Sequence, residues 1–148
     1  MKAIEFKNVS FRYEDMPEPV LKNASFSLEY GRLAPLYGDS GQGKSTVLSI
    51  LSGVIPNVTK GTLSGEVRVG GEDVSGQRIS DICRRAGVVL QNADAQIIHQ
   101  RVEDELAFGC ENFAFSPEKI SGCIENACDR MALCPQWATR TLSGGQKQ

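Results

Sequence analysis

The first third of the chain alternates apolar and polar residues. In residues 3–11, Ile4 and Phe6, with Val9 as a further candidate, fall on one side of a predicted strand, with Glu5 and Lys7 on the other. Residues 14–19 are rich in turn formers and predict a surface loop. Strand character resumes at Val20, Leu21 and residues 24–28, and Tyr30-Gly31 predicts a hairpin turn. Residues 33–37 form a short apolar run with the length of a buried strand. The period then changes: Val47, Ile50, Leu51 and Val54 recur at i, i+3, i+4 and i+7, one face of a helix, and Gly53 with Pro56 marks its end. Residues 56–61 read as a loop, 65–69 as a strand closed by Gly70-Gly71, 75–86 as a short polar helix, and 87–90 as an apolar strand running into Gln91. This order of strands and helices predicts an α/β core.

The character shifts again beyond Gln91. Residues 92–101 are polar and turn-like, and 102–110 are helical with Glu103, Asp104 and Glu105 in the first turn, where the helix dipole favours acids. Ser116-Pro117-Glu118 is a strong helix start. Ile120, Cys123, Ile124, Ala127, Cys128 and Met131 follow on one face. Residues 92–140 therefore read as a small helical insert.

The candidate chemistry lies between predicted strand and predicted helix. Gly38-Asp39-Ser40-Gly41-Gln42-Gly43-Lys44-Ser45-Thr46 fits the phosphate-loop pattern G-x-x-x-x-G-K-[ST]. A triphosphate is best held by many backbone N–H donors converging on one concavity, and the three glycines clear side chains from that approach. Lys44 brings a point charge to the outer phosphates and Ser45 a hydroxyl to Mg²⁺. The chain ends on Leu142-Ser143-Gly144-Gly145-Gln146-Lys147-Gln148, where Ser143 is placed to cap a helix whose first amides belong to glycines. Taken alone, Ser143-Gly144-Gly145 reads rather as a linker. Tyr13, at a strand end beside a loop, reads as packing rather than as an aromatic platform for a base.

Bulk properties narrow the choice. The chain has 148 residues, 41% hydrophobic and 23% charged, with a net charge of −2. No basic field points to nucleic acid, and no apolar run approaches the roughly 18 residues of a membrane span. Five cysteines without C-x₂-C spacing argue for reduced thiols, Cys123 and Cys128 being core positions rather than metal ligands. The single histidine, His99, is expected on the surface of the insert.

Together these stretches resemble the ATPase subunit of an ABC (ATP-binding cassette) transporter. Phe11-Arg12-Tyr13 resembles the family's aromatic loop, which implies that Tyr13 stacks on adenine. Residues 38–46 resemble its phosphate loop, and Leu142-Ser143-Gly144-Gly145-Gln146 its signature. The resemblance implies a P-loop NTPase of the α/β class: a RecA-like core with an antiparallel β subdomain, and a helical subdomain. Residues 1–91 would hold the β subdomain and the phosphate-loop half of the core, and residues 92–148 the helical subdomain. It implies that Gly38, Asp39, Ser40, Gly41, Gln42, Gly43, Lys44, Ser45, Thr46 and Gln91 bind MgATP, with Lys44 and Gln91 catalytic and Ser45 and Gln91 on the Mg²⁺. Ser143, Gly145 and Gln146 would serve the ATP of a second ATPase subunit in a head-to-tail pair. Leu90-Gln91-Asn92-Ala93-Asp94-Ala95-Gln96 with the segment 102–109 is similar to the energy-coupling factor branch, importers of vitamins or metal ions. That implies a membrane scaffold, a substrate-capture subunit, a place on the inner face of the cell membrane, and Gln96 and residues 103–105 near the coupling surface.

Departures from the family pattern set further expectations. Its Mg²⁺-holding aspartate, catalytic glutamate and histidine-loop residue belong to segments beyond the signature. The 148 residues therefore read as the N-terminal part of a longer ATPase, lacking C-terminal strands of the core, and as a poor hydrolase and poorly soluble by themselves. A non-hydrolysing nucleotide-binding module and a soluble ABC ATPase are the alternatives. Pro35 lies inside the strand predicted before the phosphate loop, where a ladder N–H is lost.

Overall fold

Lys2–Tyr13 form β1, the longest strand, and Leu21–Glu29 form β2 antiparallel to it. Gly61–Val69 form β3, antiparallel on the other side of β1, and Glu72–Asp73 form the short β4, giving the sheet order β2-β1-β3-β4. The side chains of β1 explain its central place. Phe6, Val9 and Phe11 are all buried, yet Phe6 has the opposite parity to the other two. A β-bulge reconciles them: the register with β3 shifts between Lys7 and Ser10, and Asn8 sits at φ +51°. Opposite the bulge stands Gly65 at φ +89°, where a β-carbon would meet the Asn8 carbonyl oxygen at 2.5 Å. The glycine lets the two backbones close at that point.

The computed structural model describes residues 1–148 in two compact units, Met1–Val88 and Val89–Gln148. In the first, Lys44–Leu51 form α1, Val54–Asn57 a distorted turn α2, and Ile79–Ile82 a single turn α3. One face of the sheet and these turns enclose a core of Phe6, Val9, Phe11, Leu21, Val47, Ile50, Leu51, Ile55, Val67, Val69, Val74 and Ile82. Each fully buried member contributes about 1.5–3 kcal/mol of transfer free energy. Three of the four predicted stripe positions lie on α1 and are buried, Val47, Ile50 and Leu51; Val54 falls beyond its end, in α2, and Gly53 between them takes the left-handed conformation (φ +74°).

In the second unit, Val102–Asn112 form α4, Pro117–Met131 form α5 and Gly144–Lys147 form the last turn, α6. Single 3₁₀ turns lie at Ala93–Ala95 and Thr139–Thr141. The Ser116 hydroxyl caps α5 by accepting from the Lys119 amide, with Pro117 at the first position. The apolar core is thin, with Val102 and Cys128 buried. A backbone mesh supplements it. The amides of Val102 and Glu103 donate to the carbonyls of Trp137 and Pro135, and the Thr139 amide donates to Gln100. The buried Thr139 hydroxyl donates to the His99 carbonyl at 2.7 Å.

Three expectations are corrected. Residues 33–37 and 87–90 are not strands: no strand pairs with them, and Leu33, Leu36, Tyr37, Val89 and Leu90 are exposed. An apolar run becomes a parallel strand only with hydrogen-bonding neighbours and covered faces, and the single sheet here is antiparallel and built from other segments. The helix expected over 75–86 contracts to α3, because Gly76 at φ +74° and the extended Arg78 precede it. His99 is half-buried rather than on the surface. Its ring lies 5.2 Å from that of Phe108, and its amide and that of Ile98 donate to Glu105.

Candidate functional site

The phosphate-loop residues 38–46 lead directly into α1. Gly43 is the N-cap, at φ +82° and buried, and a β-carbon there would come within 2.9 Å of the Leu21 side chain. Leu21, the first residue of β2, and Val20 just before it thus press the loop from behind. No sequence signal marks either as part of the site, because the contact spans the loop between β2 and α1. Since Gly43 has no side chain, nothing caps the first turn of α1, and no acidic residue stands in that turn. The first amides of a helix lack partners within it, so these donors and the positive dipole end face outward together.

Lys44 occupies the first helical position, and its ammonium donates to the carbonyl oxygens of Gly38 and Asp39, each at 2.6 Å. That holds the cation against the loop rather than extended into water. Asp39 and Gln42 close the turn: the Gln42 amide donates to the Asp39 carbonyl, and the Asp39 amide donates to the Gln42 side-chain oxygen, both at 3.3 Å. Ser40 and Gly41 form the exposed crest, and the exposed Ser45 follows Lys44. The Thr46 side chain faces inward instead; it is buried, and its hydroxyl shares a hydrogen bond of 2.9 Å with the Tyr13 hydroxyl. Tyr13 also lies edge-on to Phe11, with ring centroids 4.8 Å apart. The structure thus brings Tyr13 to the phosphate-loop helix, anchored by its oxygen and half-buried.

This donor set suits a polyphosphate: uncapped amides, one ammonium, no acid in the first helical turn and a glycine where a side chain would collide. It suits a hard divalent cation less completely. No group of three or more His, Cys, Asp or Glu side chains is gathered to hold a metal ion. Ser45 offers one hydroxyl, so such an ion would be held largely by phosphate oxygens and water.

The remaining predicted residues lie in the second unit. Gln91 is exposed, five residues before Gln96, whose side-chain oxygen accepts from the Leu90 amide at 2.8 Å. Ser143 forms a capping box with Gln146: its hydroxyl accepts from the Gln146 amide, and the Gln146 side chain accepts from the Ser143 amide. Gly144 and Gly145 follow, exposed. The Lys147 ammonium binds Asp94 at 2.6 Å, tying the segment after Gln91 to the terminal turn. The sequence reading missed this pair, because only the fold brings the two residues together. Glu105 accepts from the amides of Ile98 and His99, and Glu103 pairs with Arg101 at 2.9 Å. Among the three acids, these two therefore serve local structure.

A nucleotide-type phosphate loop on an α/β scaffold defines the class as a P-loop nucleotide-binding protein. The family comparison is narrower: the family model described as ABC transporter matches residues 21–148. The chain belongs to that family. It is 38% identical over 147 residues to an ABC transporter ATP-binding protein of Methanosarcina acetivorans, covering 98% of this chain and 23% of the relative. It is equally similar, at 38%, to one from Streptococcus mutans, covering 26% of that relative. The chain thus spans about a quarter of the length of these curated relatives. Its fold is similar to the solved structure of cbiO1 from Clostridium perfringens, described as part of the ABC transporter complex cbiONQ. The TM-score is 0.84 at 24% identity, covering 99% of this chain and 57% of that one. This likeness shows the fold, the ABC ATPase P-loop fold in part.

Proposed function

We propose that this chain supplies the nucleotide-gripping and signature-bearing part of an importer ATPase of the energy-coupling factor type. The uncapped, glycine-headed start of α1 with Lys44 folded over its loop carries the reading. The amides of residues 41–46 and the Lys44 ammonium bind the β- and γ-phosphates, and Ser45 contributes its hydroxyl to Mg²⁺. The bound MgATP supplies the phosphoryl group and the energy of its transfer. The protein's part is positioning and charge neutralisation. Tyr13 lies beside the adenine, and Gln91 takes the role that the resemblance implies for it. Ser143, Gly145 and Gln146 present the head of α6 to the nucleotide of a second ATPase subunit. The longer protein works on the inner face of a membrane against a scaffold and a substrate-capture subunit, moving a vitamin or a metal ion. The segments 90–96 and 102–109 support that branch, as does the description of the structural neighbour as part of a transporter complex.

The test is a titration of the chain with a fluorescent ATP analogue and Mg²⁺, run beside Lys44→Ala. Charge-assisted hydrogen bonds contribute about 1.5–3 kcal/mol, so the variant is expected to bind at least about tenfold more weakly. Equal affinity in both proteins, or none in the parent, overturns the reading.

A further inference from the structure

Ser45 and Thr46 stand side by side in the first turn of α1, yet their surroundings differ. Successive residues of a helix point about 100° apart. Ser45 is exposed, while Thr46 turns inward and is 3% exposed. A threonine inside a helix commonly bonds its hydroxyl back to a carbonyl one turn earlier. Here the partner is instead the Tyr13 hydroxyl, 33 positions back in the chain, at 2.9 Å. Thr46 is β-branched, so its hydroxyl has few positions available and makes a stiff anchor. Tyr13 is held at other points as well. Its backbone ends β1 in register with Gly61 of β3, its carbonyl accepts from the Met16 amide at 3.1 Å, and its ring meets Phe11 edge-on. A tyrosine side chain has two torsions, and a bond at its far end restrains both.

We infer that Thr46 is a positioning residue for the base of the nucleotide, acting through Tyr13 rather than on the phosphates with its hydroxyl. The inference rests on the proposed function, in which the phosphates lie on residues 41–46 and the base beside Tyr13. The Tyr13–Thr46 bond ties the strand end to the helix head. The spacing between ring and phosphate loop is then set before a ligand arrives, and less freedom is lost on binding. The Thr46 amide stays among the unpartnered donors of the first turn, but its hydroxyl is buried and committed. The neighbours thus divide the work: the exposed hydroxyl of Ser45 is left for the metal and phosphates, and the buried one of Thr46 braces the base platform.

The 148-residue chain is titrated calorimetrically with MgATP and with magnesium tripolyphosphate, which carries phosphates without a base. The parent is expected to bind MgATP more tightly. Thr46→Val keeps the shape and removes one hydroxyl; Tyr13→Phe keeps the ring and removes the other. Each should lower the ratio of MgATP to tripolyphosphate affinity about fivefold, the size of one net hydrogen bond. Thr46→Ser, which keeps the hydroxyl, should restore most of the ratio. The two losses combined in one chain should not exceed the larger of them. A defect of packing alone would lower both affinities together and leave the ratio as it was, which overturns the inference. So does a serine that restores nothing, or a pair of losses that add. Tyr13→Phe decides the matter if Thr46→Val does not fold. A parent that binds tripolyphosphate and MgATP equally overturns the inference and leaves the phosphate loop standing; a parent that binds neither overturns both.

Discussion

A β-carbon on Gly65 meets the Asn8 carbonyl oxygen at 2.5 Å and the Lys7 carbonyl oxygen at 2.6 Å, both rigid backbone. Gly65→Ala adds left-handed strain to that collision and is expected to cost about 3 kcal/mol, with denaturant unfolding followed by circular dichroism as the measure. Gly31→Ala provides the control: its backbone is also left-handed, at φ +72°, but nothing lies within 4 Å, so about 1 kcal/mol is expected. Glu5 gives a pH signature at the same scale. Hydrogen bonds from Lys2 and then Lys7 hold its carboxyl at about 2, below the ordinary 4.5. A folded-state value below the unfolded one means that this contribution is complete above pH 4.5. It drains away as pH falls toward 2. Glu5→Gln should flatten the pH dependence of the urea midpoint within that window, and an unchanged slope would contradict the assignment.

Among the elements, those whose determinants are local were legible in the sequence. Ser116-Pro117 announces α5, Gly53 ends α1, and the Ser143–Gln146 capping box forms within four residues of chain. Elements that need a distant partner were not. Residues 33–37 carry strand composition, yet nothing pairs with them, and Pro35 withholds one ladder donor. The parity change in β1 was equally hidden, because the bulge at Asn8 depends on Gly65 across the sheet. In the candidate site, the motif showed the loop and the lysine, whereas Leu21 behind Gly43 and Thr46 beneath Tyr13 emerged only in three dimensions. The element most dependent on one buried polar side chain is the Thr139–Thr141 turn. Thr139→Val keeps the shape but leaves the His99 carbonyl without its hydroxyl donor, and should cost about 1–2 kcal/mol. Faster amide exchange at Val102 and Thr139 would register the loss, and unchanged exchange would refute it.

For the molecule as a whole, the notable surface is apolar. Leu33 is 98% exposed and Tyr37 85%, with Leu36 between them. Soluble chains seldom present such a run to water, and an uncovered one promotes association. Sedimentation velocity on the 148-residue chain should show mass rising with concentration, and Leu33→Asp should suppress the rise. A single monomeric species across the range would contradict this. No helix is long and apolar enough to cross a membrane. Membrane work, on the proposed reading, passes through partners.

The extra residue in β1 also sets the aim of everything after it. Val9, Phe11 and Tyr13 share a face with Phe6 only because Asn8 steps out of the ladder, and that step turns the Tyr13 ring toward the helix carrying Lys44. Deleting Asn8 would leave a tidier strand and a blinder one: the phenol would swing to the opposite face, and Thr46 would lose the hydroxyl it leans on.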